Sequence, residues 1–153
     1  MQASNTLQPK VFNASDYHIG IVVADFNTDI TMGMLQEAQA VLKKYNVPDD
    51  HVTIIHVPGS VEIPVVLQKM AQMKKFHGLV ALGAIIKGES AHFDYVAKFV
   101  TEGVLRIQLD YSIPVGFGVL TTFSHEQAAT RLHVGADAMI ATLEVIHQTK
   151  ELL

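Results

Sequence analysis

A histidine follows a short polar turn in Lys87-Gly88-Glu89-Ser90-Ala91-His92, and that turn comes directly after the apolar run Gly78 to Ile86. An imidazole, with an unperturbed pKa of ~6.5, can exchange protons at neutral pH. Backbone N–H groups at a helix start can hold an anion beside it. A histidine at that place also serves simply as a polar residue opening a helix. Phe26 stands between Asp25 and Asn27. It offers a flat apolar face for a heterocycle, or it packs under its own loop. Glu62, between Val61 and Ile63, sits where a helix begins. The helix dipole favours a carboxylate there, and the same group can accept hydrogen bonds from hydroxyls. Arg131 lies in a segment otherwise poor in basic residues. It suits a bidentate phosphate contact or, more plainly, a solvated helix surface.

Those residues need strands and helices to hold them. Residues 1–17 read as a flexible N-terminal arm with a candidate edge strand around Val11 and Phe12. His18 to Ala24 is a short apolar run that suits a buried strand. After the turn at Asp25 to Thr28, Leu35, Ala38, Leu42 and Tyr45 recur at helical spacing until the breaker Asn46-Val47-Pro48-Asp49. The unit then repeats. His51 to Val57 is a strand, Pro58-Gly59-Ser60 a turn, and Glu62 to Lys75 a helix that tolerates Pro64 in its first turn. Gly78 to Ile86 is the third strand, and Phe93, Val96, Val100, Val104 and Ile107 mark the next helix. Val115 to Leu120 is the fourth strand. Ser124 and Gln127 form a capping-box pattern, and a last helix covers Ala136 to Lys150. Strand alternating with helix implies an α/β fold, a parallel sheet with helices on both faces, in one domain over 1–153. Ligands of such sheets collect beyond the carboxyl ends of the strands, where the residues singled out above lie.

Composition narrows the chemistry. The chain of 153 residues carries 11 Lys+Arg against 15 Asp+Glu, a formal charge of −4. With no basic cluster, it is a poor electrostatic match for nucleic acid or an anionic membrane. The complete absence of cysteine excludes disulfides, thiolate metal sites and cysteine nucleophiles, and fits a cytoplasmic protein. No apolar run approaches the ~18 residues of a membrane helix, and the first residues lack the apolar core of a signal peptide. Charged residues make up 17% of the chain, against about 25% in typical domains. That surplus of apolar surface points to self-association.

Several familiar motifs fail on inspection. Gly83-Ala-Ile-Ile-Lys-Gly88-Glu-Ser has the glycine spacing of a P-loop, but Glu89 holds the place of its lysine and would repel a phosphate. Gly116-Phe-Gly118 lacks the third glycine of a dinucleotide fingerprint and lies inside a strand. His125-Glu126 begins like a zinc-protease helix, yet residue 129 is alanine. No other histidine pair has ligand spacing, so the eight histidines read as scattered surface residues and no metal is expected. Ser60 and Ser90 lie on post-strand turns but not in the Gly-x-Ser-x-Gly of a hydrolase.

Taken together, the turns resemble the lumazine synthase family of riboflavin biosynthesis. The matching stretches are Phe26-Asn27, Val57-Pro-Gly-Ser-Val-Glu-Ile-Pro64, Ala81-Leu-Gly-Ala-Ile-Ile-Lys-Gly-Glu-Ser-Ala-His-Phe-Asp-Tyr-Val96, and Pro114-Val-Gly-Phe-Gly-Val-Leu-Thr-Thr122 with Glu126-Gln-Ala128 and Arg131. They run in family order over most of the chain. The resemblance implies a three-layer α/β/α, flavodoxin-like fold with a four-stranded parallel core sheet. It also implies a transferase that joins 5-amino-6-(D-ribitylamino)uracil to 3,4-dihydroxy-2-butanone 4-phosphate, releasing phosphate and water, without metal or organic cofactor.

The roles it implies are specific. Phe26 would stack on the pyrimidine, with Phe117 of a neighbouring subunit lining the site. Ser60, Val61 and Glu62 would bind the ribityl chain, and Ile85 and Ile86 would meet the heterocycle through backbone groups. His92 would carry protons. Glu89, Ser90 and a neighbour's Arg131 would hold the phosphate. The family assembles as pentamers or multiples of them. Three departures stand out. Only Leu132-His133-Val134 separates Arg131 from Gly135, where the family has a longer, lysine-bearing loop; Asp25 replaces a common arginine; and Val61 replaces a common aromatic residue. They motivate an alternative, a catalytically weak oligomer of the same family that binds a lumazine or flavin.

Overall fold

The computed structural model describes residues 10–152. Four strands form one sheet: β1 (Ile19–Ala24), β2 (Val52–Val57), β3 (Gly78–Ile86) and β4 (Val115–Thr122). All pairings are parallel, in the order β2-β1-β3-β4. Five α-helices follow: α1 (Thr28–Lys44), α2 (Ile63–Gln72), α3 (His92–Asp110), α4 (His125–Ala129) and α5 (Val134–Thr149). A 3-10 turn at Ser60–Glu62 leads into α2.

The alternation along each strand sorts the core into two layers. Ile19, Ile21 and Val23 of β1, with Val80, Leu82 and Ala84 of β3, pack with α1 and α5 through Met34, Ala38, Met139 and Leu143. Val22 and Ala24, with Leu79, Ala81 and Ile85, pack against α2 and α3 through Leu67, Met70, Val100 and Val104. With both faces covered, β1 is apolar at every position rather than at alternate ones. The result is the three-layer α/β/α, flavodoxin-like arrangement expected from the sequence. The glycines of the failed dinucleotide pattern have a packing role. A Cβ on Gly116 would run into Thr142 and the Ala138 backbone, so this glycine lets α5 lie directly on β4.

Most boundaries match the sequence reading within a few residues, with instructive exceptions. The second helix starts at Ile63, because Ser60 to Glu62 form the 3-10 turn, and it ends at Gln72. The Ser124 cap holds only the five residues of α4, and α5 begins at Val134, two residues early. No strand forms at Val11 and Phe12. Instead the Phe12 ring stacks on His147 at 3.9 Å and meets Tyr45 edge-on at 5.1 Å. The Ala14 N–H donates to Tyr45 O at 2.8 Å. These contacts fix the residues just before β1, while residues 1–9 of the expected arm lie outside the described residues.

The amino ends of β1, β2 and β3 bring three histidines together. The rings of His18 and His51 stack at 3.9 Å, and the His18 N–H donates to His77 Nδ1 at 2.8 Å. Nδ1 of His18 and of His51 are buried without a hydrogen-bond partner. Desolvation holds the His77 pKa below its ordinary value; His18 and His51 act in the same direction, and Asp16 opposes them. The unfolded chain therefore binds the His77 proton more tightly than the folded one. Its contribution to stability is complete above the unfolded pKa of ~6.5 and is lost as pH falls through the lower folded value. Melting temperature should drop between pH 7.5 and 5.5. His77→Asn, which keeps an acceptor for the His18 N–H, should flatten that drop when both proteins are melted across the range.

Candidate active site

The crevice of this sheet opens where the connections diverge, between the carboxyl ends of β1 and β3. Pairing of β1 with β3 ends at Val23↔Leu82, whereas β3 and β4 stay paired to Ile86↔Thr122. The last four residues of β3 thus have no strand on their β1 side. Asn27 fills part of the gap. Its backbone is left-handed (φ 62°, ψ 49°), and its Nδ2 donates to Ala84 O at 2.9 Å. Asparagine tolerates that region better than most residues, and here its side chain also supplies the bridge between strands. On the other side of β3, the Lys87 N–H donates to Thr122 O at 2.9 Å. Residues alternate along a strand, so the Ile86 amide and carbonyl face the crevice and those of Ile85 face β4. The Ile85 side chain is buried beneath, among the α2–α3 layer.

Four more groups gather at this end of the sheet. The Asp25 and Phe26 N–H groups donate to Val57 O and Pro58 O at 2.8 and 3.0 Å, extending the β1–β2 pairing into the turn. Phe26 is 71% exposed, which sets aside packing under its loop and leaves its face free. The 3-10 turn touches β1, β3 and α3. Ser60 is buried in it because residue 83 is glycine: a Cβ there would lie 2.5 Å from Ser60 Oγ. Val61 is exposed and Glu62 half-buried, with Oε1 curled back toward Gly59. Beyond β3, residues 87–92 are exposed, and nothing crowds Gly88. The His92 N–H donates to Ser90 Oγ at 3.3 Å, and Ala91 gives α3 no side-chain cap. The Asp94 N–H donates to Ala91 O at 3.0 Å, so of the first three amides of that long helix the Phe93 N–H is the one left for an anion, with the His92 N–H held only by the 3.3 Å contact.

The histidines are not scattered. His18, His51, His77 and His147 belong to the aromatic cluster at the opposite end of the sheet. His56 pairs with Asp25 at 2.8 Å, His125 with Asp29 at 2.6 Å, and His133 with Asp137 at 4.0 Å. Among the described residues, only the His92 imidazole has neither an aromatic nor a polar side-chain partner. No group of three or more His, Cys, Asp and Glu able to hold a metal ion occurs among the described residues.

Two of the expected site residues stand apart from the rest. Phe117 is level with Ala81 and Val22 in the sheet register, four residues short of Phe26, and is 42% exposed at the open edge. Arg131 follows α4, next to α1, where its Nη1 donates to Gln127 O at 2.7 Å and to Thr130 Oγ1 at 3.2 Å. Both bonds use Nη1. The Nε–Nη2 edge, the one that offers two parallel N–H groups, is left for an external acceptor. Sequence reasoning placed Asn27 in a turn but missed its bridge to Ala84. The signal was a residue prone to left-handed backbone between a strand and a helix.

A family model described as 6,7-dimethyl-8-ribityllumazine synthase matches residues 16–150. The chain is 41% identical over 141 residues to the 6,7-dimethyl-8-ribityllumazine synthase of Methylobacillus flagellatus, covering 92% of this chain and 95% of that protein.

The Asn27 bridge makes a graded prediction. Asn27→Gly keeps the left-handed backbone and loses one hydrogen bond, for a cost of about 1 kcal/mol. Asn27→Val loses both and should cost roughly 2–3 kcal/mol. Chemical denaturation of the three proteins should rank them in that order.

Proposed function

The chain belongs to the 6,7-dimethyl-8-ribityllumazine synthase family, and from that premise we propose how its residues share the work. The protein is a transferase of riboflavin biosynthesis. It condenses 5-amino-6-(D-ribitylamino)uracil with 3,4-dihydroxy-2-butanone 4-phosphate to 6,7-dimethyl-8-ribityllumazine and releases phosphate and water. The observation that carries the assignment of roles is the gathering of an exposed Phe26, the Ser60–Glu62 turn, the open edge of Ile86 and an unpartnered His92 around one crevice.

In this reading the pyrimidine stacks on Phe26 and hydrogen-bonds the Ile86 backbone, with Ile85 as the apolar floor beneath it. The ribityl hydroxyls reach Ser60, the Val61 backbone and the Glu62 carboxylate. The amine of the uracil attacks the ketone of the butanone, and loss of water gives an imine. His92 carries the protons of that step and of the elimination that expels phosphate. The Glu89 and Ser90 amides and the start of α3 hold the phosphate while its charge develops. Holding both substrates aligned in one crevice lowers the barrier further through proximity. No metal or cofactor enters these steps.

Phe117 and Arg131 act on a neighbouring copy's crevice, which makes the enzyme a homo-oligomer, a pentamer or a multiple of one. Support comes from the outer face of α2 and α3 and from β4, where Val65, Tyr95, Phe99, Leu109 and Phe117 are all exposed. A shallow groove of about 380 Å³ between α2 and α3 continues that apolar surface from Val61 and Glu62 to Phe99. We assign the enzyme to the cytoplasm, because a chain without cysteine makes no use of an oxidising compartment. No described helix is long and apolar enough to cross a membrane.

Purified protein given both substrates should produce the absorbance and fluorescence of the lumazine. No product above the uncatalysed rate, despite tight lumazine binding, would favour the weak binding oligomer. His92→Ala should lower kcat by on the order of 100-fold. Arg131→Ala should reduce kcat/KM by about 30-fold or more, mainly through KM for the phosphorylated butanone. Light scattering should give the mass of five chains or a multiple, and a monomer would overturn the shared site.

A further inference from the structure

Arg131 lies two residues beyond a helix too short to stand alone. The five residues of α4 lie far below the ~12–15 at which an isolated helix becomes marginal in water, so external contacts must fix its place. Ser124 Oγ accepts from the Gln127 N–H at 3.2 Å, and Gln127 Oε1 accepts from the Phe123 N–H at 2.8 Å, which closes the first turn. Neither bond ties α4 to the rest of the fold. Ala128, fully buried in the α1–α5 core, seats one face of α4, and Thr122 Oγ1 donates to Ser124 O at 2.9 Å at its start. One polar side-chain pair then links α4 to α1, His125 Nε2 lying 2.6 Å from Asp29 Oδ2 across 96 residues of chain. Asp29 itself is in the first turn of α1, where the helix dipole favours its charge.

Past α4 the chain docks on α1 again. Leu132 covers Gly33 so closely that a Cβ there would lie 2.7 Å from Leu132 Cδ1, and Gly135 sits against the Met34 backbone. Within α4, the Gln127 carbonyl accepts the Arg131 guanidinium at 2.7 Å. A continuous chain of contacts therefore runs from Asp29 through His125 and α4 to Gln127 O and Arg131 Nη1.

We propose that Asp29 and His125 are positioning residues for the phosphate substrate: by pinning α4 to α1, they aim the Nε–Nη2 edge of Arg131 at the neighbouring crevice. The proposal rests on the reading of Arg131 as the phosphate anchor. Leu132, seated on Gly33, holds the chain on the far side of the arginine, so the Asp29–His125 pair and Leu132 bracket Arg131 from its two ends. The pair is half exposed, so its effect is modest, and it acts on one substrate rather than on the fold. Neither side chain contacts substrate.

Steady-state kinetics on the assembled enzyme, with inorganic phosphate as a competitive probe, test this. Asp29→Ala and His125→Ala should each raise KM for the phosphorylated butanone and Ki for inorganic phosphate by about threefold to fivefold. KM for the ribitylaminouracil should stay within twofold. The double variant should be no worse than either single one, because both break the same link. His125→Gln, whose amide nitrogen reaches close to the position of Nε2, should restore both constants.

Arg131→Ala, run in parallel, separates the possible failures. If it raises KM and Ki while the Asp29 and His125 variants change neither, the pinning role is wrong. If Arg131→Ala also changes neither, the phosphate reading of Arg131 falls and the positioning role falls with it. A loss of kcat with both KM values raised, or failure of His125→Gln to recover, would mark the pair as merely structural and overturn the proposal.

Discussion

The crevice depends on a mismatch of strand lengths. Because β1 stops while β3 and β4 run on together to Ile86 and Thr122, a stretch of β3 is left with one edge unpaired. An unpaired edge inside a core would be costly, but at the carboxyl end of a parallel sheet it becomes a row of donors and acceptors facing a ligand. One side chain keeps the gap from closing or splaying. Asn27 spans it to Ala84 while turning the chain out of β1 and into α1. Phe26 stands exposed because the residue after it takes that turn. The aromatic platform, the backbone edge and the start of α1 thus share a single anchor.

The two layers of the fold divide the labour. On the α2–α3 side lie Phe26, the Ser60–Glu62 turn and His92, the groups that would touch substrate. On the α1–α5 side lie the carboxylate–imidazole pairs of Asp25 with His56 and Asp29 with His125, which tie the turn after β1 to β2 and α1 to α4. His18, His51, His77 and His147 close the far end of the sheet with aromatic neighbours. The same side chain thus appears as a proton carrier, a tether and a packing element, and only its surroundings distinguish the uses.

The elements were legible in the sequence because buried parallel strands are apolar throughout and the intervening helices carry a clear period. Motifs at the strand ends located Phe26, Glu62 and His92, and spacing within those motifs rejected a P-loop and a dinucleotide site. What the sequence concealed were relations between distant residues. Nothing local marks Gly83 as the space that Ser60 needs, or Asp29 as the partner of His125 across 96 residues. Boundaries slipped where a 3-10 turn replaced the first turn of α2, since its side-chain pattern resembles that of a helix start. The residues before β1 looked loose because Phe12 and Ala14 lack a periodic pattern, yet their partners are Tyr45, which caps α1, and His147 of α5.

The level of Phe117 in the sheet carries a geometric consequence. Val22, Ala81 and Phe117 share one rung of the register, and Phe26 lies four residues on from Val22, just past the end of β1, where its N–H still pairs with Pro58 O. At ~3.3 Å per residue, the backbone positions of the two residues are offset by about 13 Å along the strand direction. On the proposal that Phe117 lines a neighbouring copy's crevice, two copies related by a simple sideways shift would leave Phe117 of one below the level of Phe26 of the other. A subunit that lends its ring to the next must ride higher along the strands or lean by an equivalent amount. Subunits placed around a ring would then sit like the tilted blades of a turbine rather than the upright staves of a cask.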